Sequence, residues 1–470
     1  MFELSVALKY LVPRKKSLST ALISLMSIVV ISLVVWLVLV FLSVTTGIEK
    51  NWIKKLTSLH APIRISPTEN YYKSYYYQID SLSAASDYTP KTIGQKAISL
   101  LSDPYSEESD IEIPNSWPKK ESIDPVKSAY QVLKDLGLPF QDFEISGALL
   151  RLNKEGGGVI SQMSYLLSKP EKSPTFESLI VESSPLATLD TPILLPKNYK
   201  ESGVRIGDSG ALCYVAPTAV SAQEQRIPIR VEGFYDPGIV SIGNKCVIVP
   251  SHITQTIQAT NQTFSPDGTP TNGIFVWCKD LNKATEIQEE ITKKFEEAGI
   301  SHFWKVDTYR DFEFSKDLMM QFQSDRTLFL LIAAIILLVA CCNVISLLVL
   351  LVNDKKKEIA ILQSMGASFG SIAAIFGLCG ITMGLLSCLI GGTLAIFTLS
   401  HIDGLVAILS ALQGHNAFNP AFFGQTLPNE LSAEALIFVL IATPILSLAA
   451  GLIPAIKASR IRPSSVLRSE

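Results

Sequence analysis

Four long runs without a charged residue constrain what this chain can fold into. They extend over Ala21 to Val44, Leu328 to Val352, Ser371 to Ser400 and Ala435 to Ile456. An α-helix needs about 20 apolar residues to cross the hydrocarbon of a bilayer, and each run reaches that length. Soluble core helices rarely extend so far without a charge. The sequence therefore predicts an α-helical membrane protein with four transmembrane helices, one N-terminal and three C-terminal.

The long polar stretch between the first and second runs predicts a large mixed α+β domain at residues 47–325, with an irregular insertion at about 66–140. The other segments are short. We predict a cytosolic amphipathic segment at 1–20, transmembrane helices at 21–46, 326–352, 371–400 and 435–456, a cytosolic loop at 353–370, a short outer loop at 401–434 and a cytosolic tail at 457–470.

The cations flanking these runs are unevenly distributed. Segments 1–20, 353–370 and 457–470 together hold eleven Lys and Arg residues and four acidic residues, whereas 401–434 holds no Lys or Arg. Because positively charged loops stay on the cytoplasmic side, both termini and the 353–370 loop are predicted to be cytosolic and the large domain extracytoplasmic. These three segments carry a net charge of +7 and the whole chain −3, so the remainder carries −10 and offers no basic surface for a nucleic acid.

Alternation of apolar and polar residues predicts strands in the large domain, for example around Ile63 and Ile65 and from Ile227 to Val231. Residues 284–298 have helical spacing, and Gly299 is placed to end that helix. A tyrosine-rich cluster at 71–77 lies in the insertion. It either stacks on a partner or packs on its own domain, and we favour the second interpretation.

No pattern in the chain predicts catalysis. Residues 207–210 spell Gly-Asp-Ser-Gly, as around the nucleophile of trypsin-like proteases, but they lie between strand-like runs and predict a turn. There is no Gly-rich phosphate loop with its Lys and Ser or Thr. Cys213, Cys246 and Cys278 lie in the large domain. The sequence does not decide whether two of them form a disulfide. We expect a non-catalytic chain that itself binds no cofactor or metal.

The 353–370 loop contains a candidate helix. Asn353 or Asp354 is able to cap its start, and Gly366 to end it in the left-handed conformation. The side chains of Ile359, Leu362 and Met365 then share one face. A helix this short gains order by docking into a groove of a partner. The alternative is an ordinary basic loop that anchors the second and third membrane helices.

The run from Lys357 to Ala367, Lys-Glu-Ile-Ala-Ile-Leu-Gln-Ser-Met-Gly-Ala, resembles the motif after the second span in the FtsX-like ABC-transporter permease family. The stretch from Ile453 to Arg468 is similar to the C-terminal signature of that family. Ala7 to Leu11, Thr46 to Glu49 and Phe303 to Arg310 resemble its lipoprotein-releasing branch, the LolC/LolE type. The resemblance covers both membrane portions and the large domain from about Leu195.

The resemblance implies a permease subunit in the bacterial cytoplasmic (inner) membrane, with its large domain in the periplasm. ATP would bind to a separate ABC-type nucleotide-binding ATPase subunit. The loop helix would be a coupling helix, and the contacts with that subunit would come from Glu358, Ile359, Leu362, Met365 and Gly366. Val306 to Arg326 would form a helical stalk that transmits movement to the large domain.

In that branch the cargo is an acylated lipoprotein, extracted from the outer leaflet and handed to a periplasmic carrier. A loop between two strands holds the carrier, and its counterpart here is Pro217 to Pro228. The implied contact residues are Pro217, Thr218, Gln225, Arg226 and Pro228. Further implied partners are membrane lipid and either a second copy of this chain or a homologous permease subunit.

Two alternative functions remain open. A related permease for the efflux of peptides or drugs, or for the control of cell-wall hydrolases in division, would share the coupling helix and differ in cargo. A membrane-anchored sensor or adhesion module without transport belongs to a different class and would need a cytosolic output domain.

Overall fold

The computed structural model describes residues 3, 6–7, 18–154, 157–184, 191–217, 221–237, 245–260, 271–415 and 428–459. The chain divides into two compact units. The membrane unit comprises Met1–Asn51 and Phe322–Glu470, and the αβ unit comprises Trp52–Gln321. Most of the predicted segments 1–20 and 457–470 lies outside the described residues.

The α-helices of the described chain are numbered in chain order. They are α1 Leu18–His60, α2 Glu69–Lys73, α3 Tyr75–Gln78, α4 Ile93–Ile98, α5 Pro125–Asp135, α6 Asn198–Glu201, α7 Ser251–Thr260, α8 Ala284–Glu297, α9 Glu313–Asp354, α10 Lys356–Ser364, α11 Phe369–Ser400, α12 Ile402–Gln413 and α13 Ala433–Ser459. The helices α1, α9, α11 and α13 are long and apolar enough to cross a membrane. Four apolar helices, with an α/β region between the first and second, agree with the coarse prediction of fold class.

Glycines let the membrane helices approach each other closely. A Cβ at Gly380 of α11 would lie 2.3 Å from the backbone oxygen of Ser447 of α13. A Cβ at Gly391 would lie 2.6 Å from the backbone oxygen of Ser32 of α1. Because small residues at these crossings allow backbone contact, the glycine-rich sequence of α11 serves helix packing.

Two hydrogen bonds set the register of α11 against α1. The Ser387 hydroxyl donates to the Ile28 carbonyl at 3.2 Å, and the Trp36 indole N–H donates to the Thr398 hydroxyl at 2.8 Å. The two helices therefore run parallel, and the end of α11 lies at the height of the last apolar turns of α1.

The αβ unit contains one twisted sheet. Its strands are β1 Ile63–Pro67, β2 Phe140–Asn153, β3 Val159–Ser168, β4 Ile180–Ser183, β5 Thr191–Pro196, β6 Ser209–Pro217, β7 Ala222–Tyr235, β8 Cys246–Val249, β9 Asn272–Val276 and β10 Trp304–Thr308. The strand order is β10-β1-β9-β2-β3-β8-β5-β7-β4, and β6 pairs with β2 and β7. The long strand β2 joins the two halves, because its first residues pair with β9 and its later residues with β3 and β6.

The strands β1 and β10 bring two distant parts of the chain together. They pair antiparallel, with Ile63 opposite Thr308 and Pro67 opposite Trp304, and the Tyr309 amide donates to the Pro62 carbonyl at 2.8 Å. The strand β1 begins three residues after α1 ends, and α9 begins five residues after β10 ends. The entry and exit of the αβ unit are therefore held side by side.

Arg64 of β1 lies inside this junction and is 2 % exposed. Its guanidinium carbon is 4.4 Å from the ring centroid of Phe312 and 5.3 Å from that of Phe143. Burial lowers the pKa of Arg64 to about 10, while the charge of Asp307, directly opposite on β10, acts in the other direction. A cation between aromatic faces is stabilised more strongly when water is excluded.

The tyrosine-rich cluster packs on its own unit. Tyr71, Tyr75 and Tyr76 are buried, and the rings of Tyr71 and Trp304 are 5.2 Å apart. The favoured sequence interpretation is confirmed for these three side chains. The insertion also contains helices and a buried ion pair, in which Lys96 donates to the Asp80 carboxylate and to the Tyr76 carbonyl.

The structure tests several local predictions for the αβ unit. Residues 284–297 are helical and Gly299 has a φ of +70°, as expected. Gly207, with a φ of +95°, lies in the predicted turn, but Ser209 and Gly210 already belong to β6, so the turn predicted over 207–210 is correct only in its first half. The predicted stalk is wrong at its start, because Val306 pairs in β10 and α9 begins only at Glu313. Cys213, Cys246 and Cys278 are free thiols.

Removal of the Lys96 ammonium should destabilise the αβ unit. Asp80 is 2 % exposed, so Lys96→Met leaves a buried carboxylate without its cation, which costs about 3–5 kcal/mol of unfolding free energy. Tryptophan-monitored denaturation of the full chain in detergent measures the change. Lys73→Met is the matched control, since Lys73 and Glu69 form an exposed pair worth about 0–1 kcal/mol. Equal effects in the two variants would contradict a structural role, and adding Asp80→Asn to Lys96→Met should restore part of the loss.

The buried Glu144 of β2 should make stability depend on pH. Burial raises its pKa to about 7, and the charge of Asp142 acts in the same direction. Since the folded pKa exceeds the unfolded one, the folded state holds the proton more tightly. About 3 kcal/mol of stability is then lost as the pH rises from about 4.5 to 7. We expect Glu144→Gln to remove this loss in denaturation series across that range, and the exposed Glu171→Gln to retain it. The same slope in both variants would exclude Glu144 as the titrating group.

Candidate partner-binding sites

The predicted helix of the 353–370 loop is α10, which lies between two membrane-length helices. Its first residue is Lys356, and its N-cap residue, Lys355, makes no side-chain capping hydrogen bond. The expectation that Asn353 or Asp354 caps α10 is wrong, because α9 continues through both residues. One residue separates the two helices, which leaves no room for an extended cap.

Gly366 ends α10 as the sequence predicts. Its φ is +95°, a conformation in which a residue with a Cβ is strained. The Gly366 amide donates to the Gln363 carbonyl and the Ala367 amide to the Leu362 carbonyl, both at 3.0 Å. These bonds satisfy carbonyls in the last turn, and Ser368 then caps α11 by accepting from the Ser371 amide.

The apolar residues of α10 divide between two faces. Ile359 and Ala360 are buried, and Ile359 belongs to the hydrophobic core of the membrane unit. Leu362 is half-buried, whereas Met365 is 78 % exposed. The expected common face of Ile359, Leu362 and Met365 therefore does not point outward as a whole, because packing against the membrane helices takes Ile359.

The outward face of α10 holds a residue that sequence reasoning missed. Ile361 is 48 % exposed and lies four residues before Met365, so the two share a helix face. Glu358 lies on the same face, and the Lys355 ammonium bonds its carboxylate at 2.6 Å. This exposed face, which we call the coupling face, consists of Glu358, Ile361 and Met365. The spacing of three and four residues between Glu358, Ile361 and Met365 is visible in the sequence and indicates a shared helix face. It does not show which apolar face of α10 is buried.

The second candidate site is a β-hairpin and not a long loop. The strands β6 and β7 pair from Ser209 opposite Arg230 to Pro217 opposite Ala222. Gln225, Arg226 and Pro228 therefore lie in β7, opposite Tyr214, Cys213 and Ala211. The predicted connection of Pro217 to Pro228 is too long, because main-chain pairing continues almost to the tip. Thr218 lies outside the described residues.

Charged side chains contact each other in the half of this hairpin nearer its tip, where Glu224 lies opposite Val215. Glu224 accepts from Arg226 Nε at 2.9 Å and lies 3.4 Å from a guanidinium nitrogen of Arg151 on β2. The hydrogen bond from Arg226 lowers the pKa of Glu224. Residues 222–226 are exposed, so the hairpin presents polar side chains and backbone to solvent. The roles of Gln225 and Arg226 toward a carrier stay predictions.

Comparisons with known proteins match part of the membrane unit to a protein family. Residues 330–463 match the FtsX-like permease C-terminal family. The lipoprotein-releasing system transmembrane proteins LolC and LolE of Haemophilus influenzae are each 33 % identical to this chain over 117 residues. The alignments cover 25 % of this chain and 27 % and 28 % of those relatives, so the chain spans about a quarter of their length. The resemblance to FtsX-like permeases of the lipoprotein-releasing type is confirmed, and the family match includes α10.

Proposed function

From the premise that residues 330–463 are an FtsX-like permease domain, we propose that this chain is the membrane subunit of an ABC transporter that releases lipoproteins. ATP hydrolysis takes place on a separate subunit, and this chain is not catalytic. The observation that carries the proposal is the exposed coupling face of α10, located between two membrane-length helices inside the matched domain.

The coupling face has the chemistry of a groove-binding helix. Ile361 and Met365 supply an apolar ridge one turn apart, and Glu358 supplies a charge beside it. The opposite face is fixed by Ile359 in the membrane core, so a force applied to α10 is passed to the membrane helices rather than to a free loop. Helix-in-groove recognition uses anchors at this spacing.

The length of the membrane helices supports transmission to the αβ unit. The helix α1 has 43 residues and α9 has 42, which corresponds to about 65 Å each at 1.5 Å per residue. About 30 Å suffices for the hydrocarbon. We propose that both helices carry movement from the cytosolic side into the αβ unit, whose entry and exit are joined by β1 and β10.

Lipoprotein release requires coupled energy. Each buried methylene of an acyl chain contributes about 0.8 kcal/mol to membrane retention, so a multiply acylated protein does not leave the bilayer spontaneously. We propose that the αβ unit lies in the periplasm and passes the cargo to a soluble carrier at the β6–β7 hairpin. The names of the relatives LolC and LolE support lipoprotein as the cargo.

Substitution on the coupling face should separate this chain from its ATPase. Met365→Asp replaces an exposed apolar side chain, so folding is retained, while the loss of about 1.5–3 kcal/mol of apolar burial should weaken the complex at least about tenfold. Glu358→Lys should also disrupt it. Co-purification from membranes extracted in mild detergent measures the effect.

Ser364→Asp is the matched control for Met365→Asp. It introduces the same charge at a neighbouring exposed position, and it should leave the ATPase bound. If the ATPase co-purifies equally with Met365→Asp, Glu358→Lys and the wild type, α10 is not the coupling element.

Depletion of this chain should strand outer-membrane lipoproteins in the inner membrane, because their acyl chains remain held by that bilayer. Fractionation of the two membranes followed by lipoprotein detection measures the shift. Wild-type protein should reverse it and Glu358→Lys should not. Unchanged lipoprotein sorting would exclude this cargo and would favour a related permease for peptides, drugs or the control of division hydrolases.

A further inference from the structure

The predicted short outer loop at 401–434 contains a helix. Residues Ile402–Gln413 form α12, which follows the membrane-length helix α11 after the single residue His401. Gly414 ends it with a φ of +72°, and its amide donates to the Ser410 carbonyl at 3.0 Å. The helix thus has a defined beginning and end, although sequence reasoning had assigned no structure here.

One face of α12 is apolar and exposed. Leu405, Ile408, Leu409 and Leu412 follow the spacing i, i+3, i+4 and i+7, so they form one stripe. Their exposed fractions are 47 %, 60 %, 41 % and 79 %. Asp403 and Ser410 lie on the opposite side, at the angles that a period of 3.6 residues gives. Among the described residues, the chain therefore leaves this stripe largely uncovered.

The height of α12 in the membrane unit follows from the register of α11 on α1. Ser387 contacts the carbonyl of Ile28, and Thr398 accepts from Trp36, so the end of α11 lies beside the turn at Leu39 to Leu42. The charge-free run of α1 continues to Val44 before it reaches Thr45 and Thr46. The start of α12 is therefore about one helical turn, roughly 5 Å, inside the apolar limit of α1.

We propose that α12 lies flat in the interfacial region of the bilayer and buries the stripe of Leu405, Ile408, Leu409 and Leu412 among lipid chains. The depth inferred from the register agrees with the roughly 5–10 Å at which interfacial amphipathic helices bury their apolar faces. The exposed apolar side chains of Ile396 and Phe397 lie in the last turns of α11, directly before α12 in sequence. In a membrane-spanning helix, lipid chains cover exposed apolar side chains such as these.

The charge of α12 indicates whether lipid headgroups or acyl chains bind it. Asp403 is its only charged residue, and residues 401–434 contain no Lys or Arg. No Lys or Arg is therefore available to attract anionic headgroups, which favours a contact with acyl chains. The leaflet concerned is the outer one if the orientation of the proposed function is right. In that case α12 borders the layer from which an acylated cargo is taken.

Tryptophans at the two ends of the stripe test the proposal. The full chain is reconstituted into phosphatidylcholine nanodiscs, with or without bromine on the acyl chains, as Leu405→Trp, Leu412→Trp or Asp403→Trp. The chain's five native tryptophans give each variant the same background. We expect the added emission of Leu405→Trp and Leu412→Trp to be lost in brominated discs. The added emission of Asp403→Trp, on the opposite face, should be retained.

The other outcomes overturn the proposal. If Leu412→Trp is quenched by aqueous iodide and not by bromine, α12 projects into water. If neither quencher reaches Leu405→Trp or Leu412→Trp, protein covers the stripe. Ile408→Trp repeats the measurement should one variant fail to insert. The experiment requires neither ATPase nor lipoprotein, so its result is independent of whether lipoprotein release is the correct function.

Discussion

The pairing of β1 with β10 is the interaction on which the αβ unit depends. Residues 63–67 and 304–308 are separated by almost the whole unit in sequence, yet they form adjacent strands. Arg64 lies between aromatic rings at this junction, with Asp307 opposite. Because α1 ends just before β1 and α9 begins just after β10, both connections of the αβ unit to these helices are held at the same pair of strands.

The membrane unit depends on close backbone contact rather than on polar bonds. Hydrocarbon provides no hydrophobic force between helices, so association rests on packing and on a few hydrogen bonds. Gly380 and Gly391 allow α13 and α1 to approach α11, and the bond between Trp36 and Thr398 fixes the register. The packing of Ile359 into the same core turns the coupling face outward.

The candidate sites show how far periodicity can be used. The motif around Lys357 to Gly366 located α10, and the glycine at its end has the predicted left-handed conformation. Periodicity placed Ile359, Leu362 and Met365 on one face, but the buried side of a helix depends on neighbours that are distant in sequence. In the hairpin, Gln225 and Arg226 appeared to lie in a loop, because their polar character hid strand pairing with β6. The helix α12 was missed because its residues follow a span directly, with no change in apolar character.

The sequence by itself determined the four apolar helices, the α/β region between the first two, the short helix at Lys356–Ser364 and the end of α8. These features follow from length, periodicity and glycine position, which are local properties of the chain. Only the tertiary structure decided the strand order, the burial of Arg64, the outward face of α10 and the register of α11 on α1. Each of these depends on contacts between residues far apart in sequence, and the free energy of such contacts cannot be assigned until the partners are known.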